Sequence, residues 1–212
     1  MSQTPSTPPP AAIAAAWAVA WADAGLPGLG HELRDALWAA YAQPQRRYHT
    51  QQHLSECLAL WEALRPYAEY PGEVGLALWF HDAVYEVKAN DNELRSADWA
   101  RQALLAAGAE AAMAQRVHAL VMATCHAAPT ATADEALLVD IDLAILGADA
   151  ARFAEYERQV RDEYAWVPGF LYRRKRREVM RGFAQRQPLY LTSAVRDRLE
   201  AQARRNLAAY SA

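Results

Sequence analysis

Residues 72 to 84 read Gly72-Glu-Val-Gly-Leu-Ala-Leu-Trp-Phe-His-Asp-Ala-Val84. Val74, Leu76, Ala77, Leu78, Trp79 and Phe80 leave no polar face, so this segment predicts a helix buried on all sides rather than a surface helix. His81 and Asp82 stand at its end, an imidazole and a carboxylate where the chain is most apolar. Burying an ionised carboxylate without a partner is costly, so the pair requires one. A divalent metal ion satisfies that need; so does a hydrogen bond to a neighbouring core group or a helix cap.

Around this segment the chain is rich in Ala, Leu, Glu, Gln and Arg, which lose little on entering a helix, and it lacks the period-2 alternation and Asn-Gly turns of a β protein. The expected class is all-α, a single compact helical bundle. Helices are predicted over 11–24, 29–42 and 50–65, the first two stopped by Gly25 with Pro27 and by Pro44. In the third, Leu54, Cys57, Leu58 and Trp61 fall at helical spacing on one face. Further helices are expected over 92–107, 110–125, 136–146, 150–164, 171–185 and 193–210, with Gly108 and Gly147 as stops. Residues 1–10 hold four of the eleven prolines and predict an extended leader, which leaves 11–212 as one domain.

The composition narrows the function. Of 212 residues, 53% are hydrophobic and 22% charged, which suits a chain that buries a core. The net charge of −3 argues against a nucleic-acid binder, a local patch aside, and no apolar run approaches bilayer-spanning length. With no secretory signal in view, cytoplasmic residence is the expectation. Two cysteines, Cys57 and Cys125, form no CxxC pair, so neither a disulfide framework nor a cysteine zinc knuckle is available. Any metal is expected to sit on nitrogen and oxygen donors. No P-loop, GxGxxG or GxSxG motif is present, which argues against kinases, dehydrogenases and α/β-hydrolases.

The histidines supply such donors. His49 and His53 open the third predicted helix, four residues apart on one face. His118 and His126 flank an apolar stretch, and Asp140 and Asp142 lie inside another. Neutral imidazole and carboxylate suit a hard or borderline divalent ion.

His53, then His81-Asp82, then an aspartate near position 140 in an all-α chain resembles the HD-domain superfamily of metal-dependent phosphohydrolases, whose ligands follow the order H, HD, D. The chain is most similar to a bacterial branch of predicted HD phosphohydrolases. The likeness runs through Arg47-Tyr48-His49-Thr50, His53-Leu54, Trp79-Phe80-His81-Asp82-Ala83-Val84-Tyr85, Asn92-Glu93, Ser96-Ala97, Ala123-Thr124-Cys125-His126, Asp140 to Gly147, Val160 to Tyr164 and Ala203 to Leu207, over about residues 30 to 210. It implies an HD-type helical domain with His53, His81, Asp82 and one late aspartate as ligands of one ion, Mn²⁺, Fe²⁺, Co²⁺, Ni²⁺, Zn²⁺ or Mg²⁺. Ile141-Asp142-Leu143 matches the superfamily pattern better than Val139-Asp140-Ile141. Two helix residues two apart point about 200° apart, so both cannot face one ion. Asp142 is preferred as ligand, and Asp140 is left to cap or pair.

The resemblance implies hydrolysis of a nucleotide or another small phosphorylated metabolite. Asp82 or Glu86 would accept the proton, and Glu56 or Glu86 would orient a ligand histidine. His49, Tyr85, Asn92, Asp140, Arg161 and His126 are further candidates for contacts to substrate or to the ligands. His126 and His118 are the spare donors for a second ion, although one ion is expected. Each has a plainer reading: His49 as a helix-start residue bonded to backbone, His126 as a helix-terminal cation, Glu93 as a first-turn carboxylate, and 173–177 as a solvated basic face. A different class of function also fits, a non-catalytic helical domain that binds a metal or a nucleotide. Alanine-rich faces such as 11–24 could pack against a second copy in a homo-oligomer.

Overall fold

A computed structural model of the chain describes residues 8–126 and 128–210. Ten α-helices follow one another: α1 (Ala11–Asp23), α2 (His31–Ala40), α3 (Gln51–Leu64), α4 (Pro71–Phe80), α5 (Asn92–Ala106), α6 (Ala111–Ala123), α7 (Ala133–Asp142), α8 (Ala150–Glu163), α9 (Gly169–Gln185) and α10 (Ser193–Leu207). Among the described residues there is no strand, as the all-α expectation requires, and no helix is long and apolar enough to cross a membrane. The expected leader lies outside the described residues except for Pro8, Pro9 and Pro10, of which Pro9 is buried and Pro10 precedes α1.

Helix α4 is the centre of the bundle. Every residue from Gly72 to Phe80 is buried, and α1, α3, α5, α6 and α7 all pack on it. The two glycines of α4 set how closely its neighbours approach. A Cβ on Gly72 would lie 2.3 Å from the Ala24 backbone nitrogen, and one on Gly75 would lie 2.5 Å from the Trp61 ring. Indole rings fill the remaining space: Trp17 stacks on Trp21 at 5.1 Å and meets Trp79 edge-on at 5.2 Å.

Two predicted helices end earlier than their hydrophobic pattern suggests, and both ends matter for the site. Helix α4 stops at Phe80 instead of running to Val84, with His81 as its cap residue and a turn after it. The buried Arg46 guanidinium takes up the chain there, donating to the carbonyls of Asp82 at 2.6 Å and Ala83 at 2.8 Å. Carbonyls bonded sideways to a guanidinium cannot serve a further helical turn. Helix α7 likewise stops at Asp142 and tightens into a 3₁₀ turn, Leu143–Gly147. Asn206 of α10 donates to the carbonyls of Leu146 and Ala148, and a Cβ on Gly147 would sit 2.7 Å from Leu199, so α10 closes directly on this turn.

Candidate metal centre

Three helices deliver four donors to one point. Helix α3 brings His53, the end of α4 brings His81 and Asp82, and the last residue of α7 is Asp142. His53 Nε2 lies 3.0 Å from His81 Nε2, 3.5 Å from Asp82 Oδ2 and 3.3 Å from Asp142 Oδ1. His81 Nε2 lies 3.2 Å from Asp82 Oδ2 and 3.6 Å from Asp142 Oδ1. The imidazoles are buried, whereas the carboxylate side chains keep 17% and 16% exposure, so the cluster has one face toward solvent.

Hydrogen bonds behind the cluster decide which lone pairs face inward. His81 Nδ1 donates to the Leu78 carbonyl at 2.7 Å, one turn back on α4, which leaves Nε2 as the inward lone pair of a neutral ring. Glu56 and Glu86, expected to orient a ligand histidine, do not do so. Glu56 forms a two-bond pair with Arg152, and Glu86 pairs with Arg95 on the surface. Burial alone would push both imidazoles down and both carboxylates up. Their neighbours outweigh burial: Cys57 and Tyr48, then Asp142 and Asp82, hold His53 well above the ordinary histidine range; Asp82, Tyr41 and Asp142 do the same for His81; His81, His49 and His53 hold Asp82, and His126, His53 and His81 hold Asp142, well below the range of aspartate.

The arrangement therefore demands positive charge at its centre, as protons or as a cation. Bonds of about 2.1 Å to a central ion place neighbouring donors about 3.0 Å apart at right angles and about 3.4 Å at the tetrahedral angle. The five separations that involve a histidine run from 3.0 to 3.6 Å. Both the spacing and the donor chemistry fit one divalent ion.

Cys57 is a further donor that the sequence reading placed only in the α3 stripe. With His53 and His81 it forms a buried group able to hold a metal ion, its ligand atoms within 4.8 Å of one another. Its position four residues after His53, on the same helix face, was the available signal. Its sulfur lies 3.7 Å from Nδ1 and 3.8 Å from Nε2 of His53. Such near-equal distances put the thiol between the two nitrogens rather than in line with the Nε2 lone pair, so the two aspartates are the better partners for the imidazoles.

Asp140 points away from the cluster, as the helical geometry predicts. It is buried and accepts from the Leu191 amide at 2.9 Å and from both the amide and hydroxyl of Thr192 at 2.7 Å, holding the chain that enters α10. His126 is brought close: its Nε2 is 3.6 Å from the second oxygen of Asp142. Its φ of 52° is a left-handed conformation unfavourable for a side-chain-bearing residue. His118 is not brought in, and pairs with Asp98 on α5.

His49 and Tyr85 flank the cluster, stacked at 4.2 Å. Both are held by Glu163 at the end of α8, a residue to which the sequence reading gave no role. Glu163 Oε2 accepts from His49 Nδ1 and from the Tyr85 hydroxyl, each at 2.8 Å. Its other oxygen accepts the backbone amides of Arg47, Tyr48 and His49. Asn92 instead closes the 86–92 loop through paired bonds to the Glu86 backbone, which turns the Glu86 carboxylate outward. Glu93 sits in the first turn of α5. Arg161 donates to the carbonyls of Tyr164 and Val167 and holds the α8–α9 turn. Of the basic run, Arg173, Arg174, Lys175 and Arg177 are exposed, whereas Arg176 turns inward to Glu157. No protein-family model, curated protein or solved structure matches this chain.

Proposed function

We propose that the protein is a metal-dependent phosphohydrolase acting on a nucleotide or another small phosphorylated metabolite. The observation that carries the reading is the convergence of Asp82 and Asp142 within 3.6 Å of both His53 and His81, themselves 3.0 Å apart, on a face open to solvent. A structural metal site is closed by protein ligands, whereas a catalytic one keeps a position for water or substrate. The order of these residues, which resembles that of the HD superfamily, supports the same reading. A divalent ion held by these four side chains would supply Lewis acidity toward a phosphoryl oxygen and lower the pKa of water.

The remaining work falls to the chain. His81 is locked by Leu78 in the tautomer that presents Nε2. The Asp82 carboxylate, partly exposed at the rim, is the group placed to receive a proton, a role Glu86 cannot share from its surface pair with Arg95. His49 donates through Nδ1 to Glu163, so Nε2 of the neutral ring presents a lone pair that would accept from a substrate hydroxyl or a water. The buried trio of His53, Cys57 and His81 favours a second reading, a metal-binding domain without turnover. Phosphate release from a panel of nucleotides and sugar phosphates, with Mn²⁺, Co²⁺, Ni²⁺ or Mg²⁺ added, separates the two. The proposal expects turnover by wild type and its loss in Asp82→Asn; metal-loaded wild type that turns over nothing favours the binding domain.

A further inference from the structure

Arg46 is only 3% exposed, yet among the described residues its hydrogen-bond partners are all neutral. Nη1 donates to two carbonyls at once, that of His49 at 3.0 Å and that of Asp82 at 2.6 Å. Nη2 donates to the Ala83 carbonyl at 2.8 Å, and Nε to the Gln43 side chain at 3.1 Å. The guanidinium carbon lies 5.1 Å from the ring centroid of Tyr41 and 5.4 Å from that of Tyr85. Each ring holds part of the site in turn: the Tyr41 hydroxyl accepts the Asp82 amide at 3.2 Å, and Tyr85 stacks on His49.

Burying a cation without a carboxylate on it is costly, and a turn that needed only its carbonyls capped could use a neutral donor instead. What a planar guanidinium offers, and neither an amide nor a lysine does, is a rigid fork that holds several carbonyls in fixed relation. Here the fork joins two turns far apart in the chain: the one that carries His49 into α3 and the one that carries His81 and Asp82 out of α4. Asp82 is thereby gripped from both sides, its carbonyl by Arg46 and its amide by Tyr41. Its carboxylate reaches His53 and His81 from a backbone that cannot drift.

We propose that Arg46 is a positioning residue of the metal centre: its guanidinium locks the His81-Asp82 turn against the His49 turn, so that the Asp82 carboxylate stands beside His53 and His81 before an ion arrives. This role rests on the reading of His53, His81, Asp82 and Asp142 as ligands of one ion. Arg46 touches neither the ion nor the substrate and acts through the backbone of Asp82 and Ala83. Donors already held in place lose little freedom on binding, whereas loss of a group that orients a ligand weakens metal binding by about 10–100-fold.

The test compares wild type, Arg46→Lys and Gly72→Ala by Mn²⁺ calorimetry and by the visible absorption of the Co²⁺-loaded proteins. Lysine keeps the charge but not the fork, so Arg46→Lys should bind Mn²⁺ about 10–100-fold more weakly and change the Co²⁺ spectrum. Gly72→Ala disturbs the α1 contact at the far end of α4 from His81 and controls for lost stability alone; it should keep wild-type affinity and spectrum. Wild-type affinity in a folded Arg46→Lys overturns the assignment. So does an equal loss in Gly72→Ala, which would trace the effect to general loosening. If Arg46→Lys does not fold, Gln43→Ala decides, an exposed change that removes only the bond to Nε. Mn²⁺ binding weaker by about threefold or more in that variant supports the role, and unchanged binding overturns it. Wild type that binds no divalent ion removes the metal-centre reading as well, so the two failures are told apart.

Discussion

Glu163→Gln tests how the flank of the site is held. The Glu163 carboxylate has a fully buried side chain and accepts five bonds, from the amides of Arg47, Tyr48 and His49, the Tyr85 hydroxyl and His49 Nδ1. Burial alone would raise it, but the His49 contact and the other donors outweigh burial and bring it from the ordinary 4.5 to about 2. At neutral pH that difference corresponds to about 3 kcal/mol of stability. Glutamine keeps one carbonyl for the amides but turns an NH₂ toward donors, so the variant should lose about 3 kcal/mol, or roughly 6–12 °C in melting temperature for a chain of this size. The sign with pH follows from the depressed carboxyl. Its contribution is complete above pH 4.5 and is lost as pH falls toward 2, so the gap between wild type and Glu163→Gln should shrink to roughly half at pH 3. Urea denaturation of both proteins at pH 7 and pH 3, followed by circular dichroism, reads the gap directly. A gap under about 1 kcal/mol at pH 7, or one that does not narrow at pH 3, refutes the reasoning.

Three further outcomes separate neighbouring residues. Asp140→Asn should lose about 1–3 kcal/mol of stability with its metal content intact, because it holds Leu191 and Thr192, whereas Asp142→Asn should lose metal; the opposite pattern would exchange their roles. Cys57→Ala should retain bound metal by elemental analysis, and a fall to background would make the thiol a ligand in place of an aspartate. Gly72→Ala should destabilise by a few kcal/mol in thermal denaturation, since its new Cβ meets the backbone of Ala24 and Asp23, which cannot shift as a side-chain end could; a change within about 0.5 kcal/mol would contradict the packing of α4 on α1.

What could be read from the sequence followed periodicity and local chemistry. The run from Gly72 to Phe80 announces a buried helix because its residues, Glu73 in the first turn aside, are apolar all round, and α4 is that helix. The separation of Asp140 from Asp142 was legible for the same reason, since two helix positions about 200° apart cannot serve one point. What the sequence hid were pairings across long stretches of chain. Nothing local in Glu163 announces that it receives the amides of residues 47 to 49, more than a hundred positions earlier, or that Arg46 catches the carbonyls that end α4. The same limit misplaced Glu86. Its nearness to the His81-Asp82 pair suggested a catalytic carboxylate, but the Asn92 side chain folds the loop so that Glu86 meets Arg95 on the surface.

The central claim is that His53, His81, Asp82 and Asp142 hold a divalent ion, and metal content tests it most directly. Protein purified without chelator should carry close to one divalent ion per chain, and His81→Ala and Asp82→Ala should each reduce it to background while the far-ultraviolet circular dichroism keeps its helical signature. Full metal retention in both variants, or folded wild type that takes up no divalent ion from solution, would contradict the account.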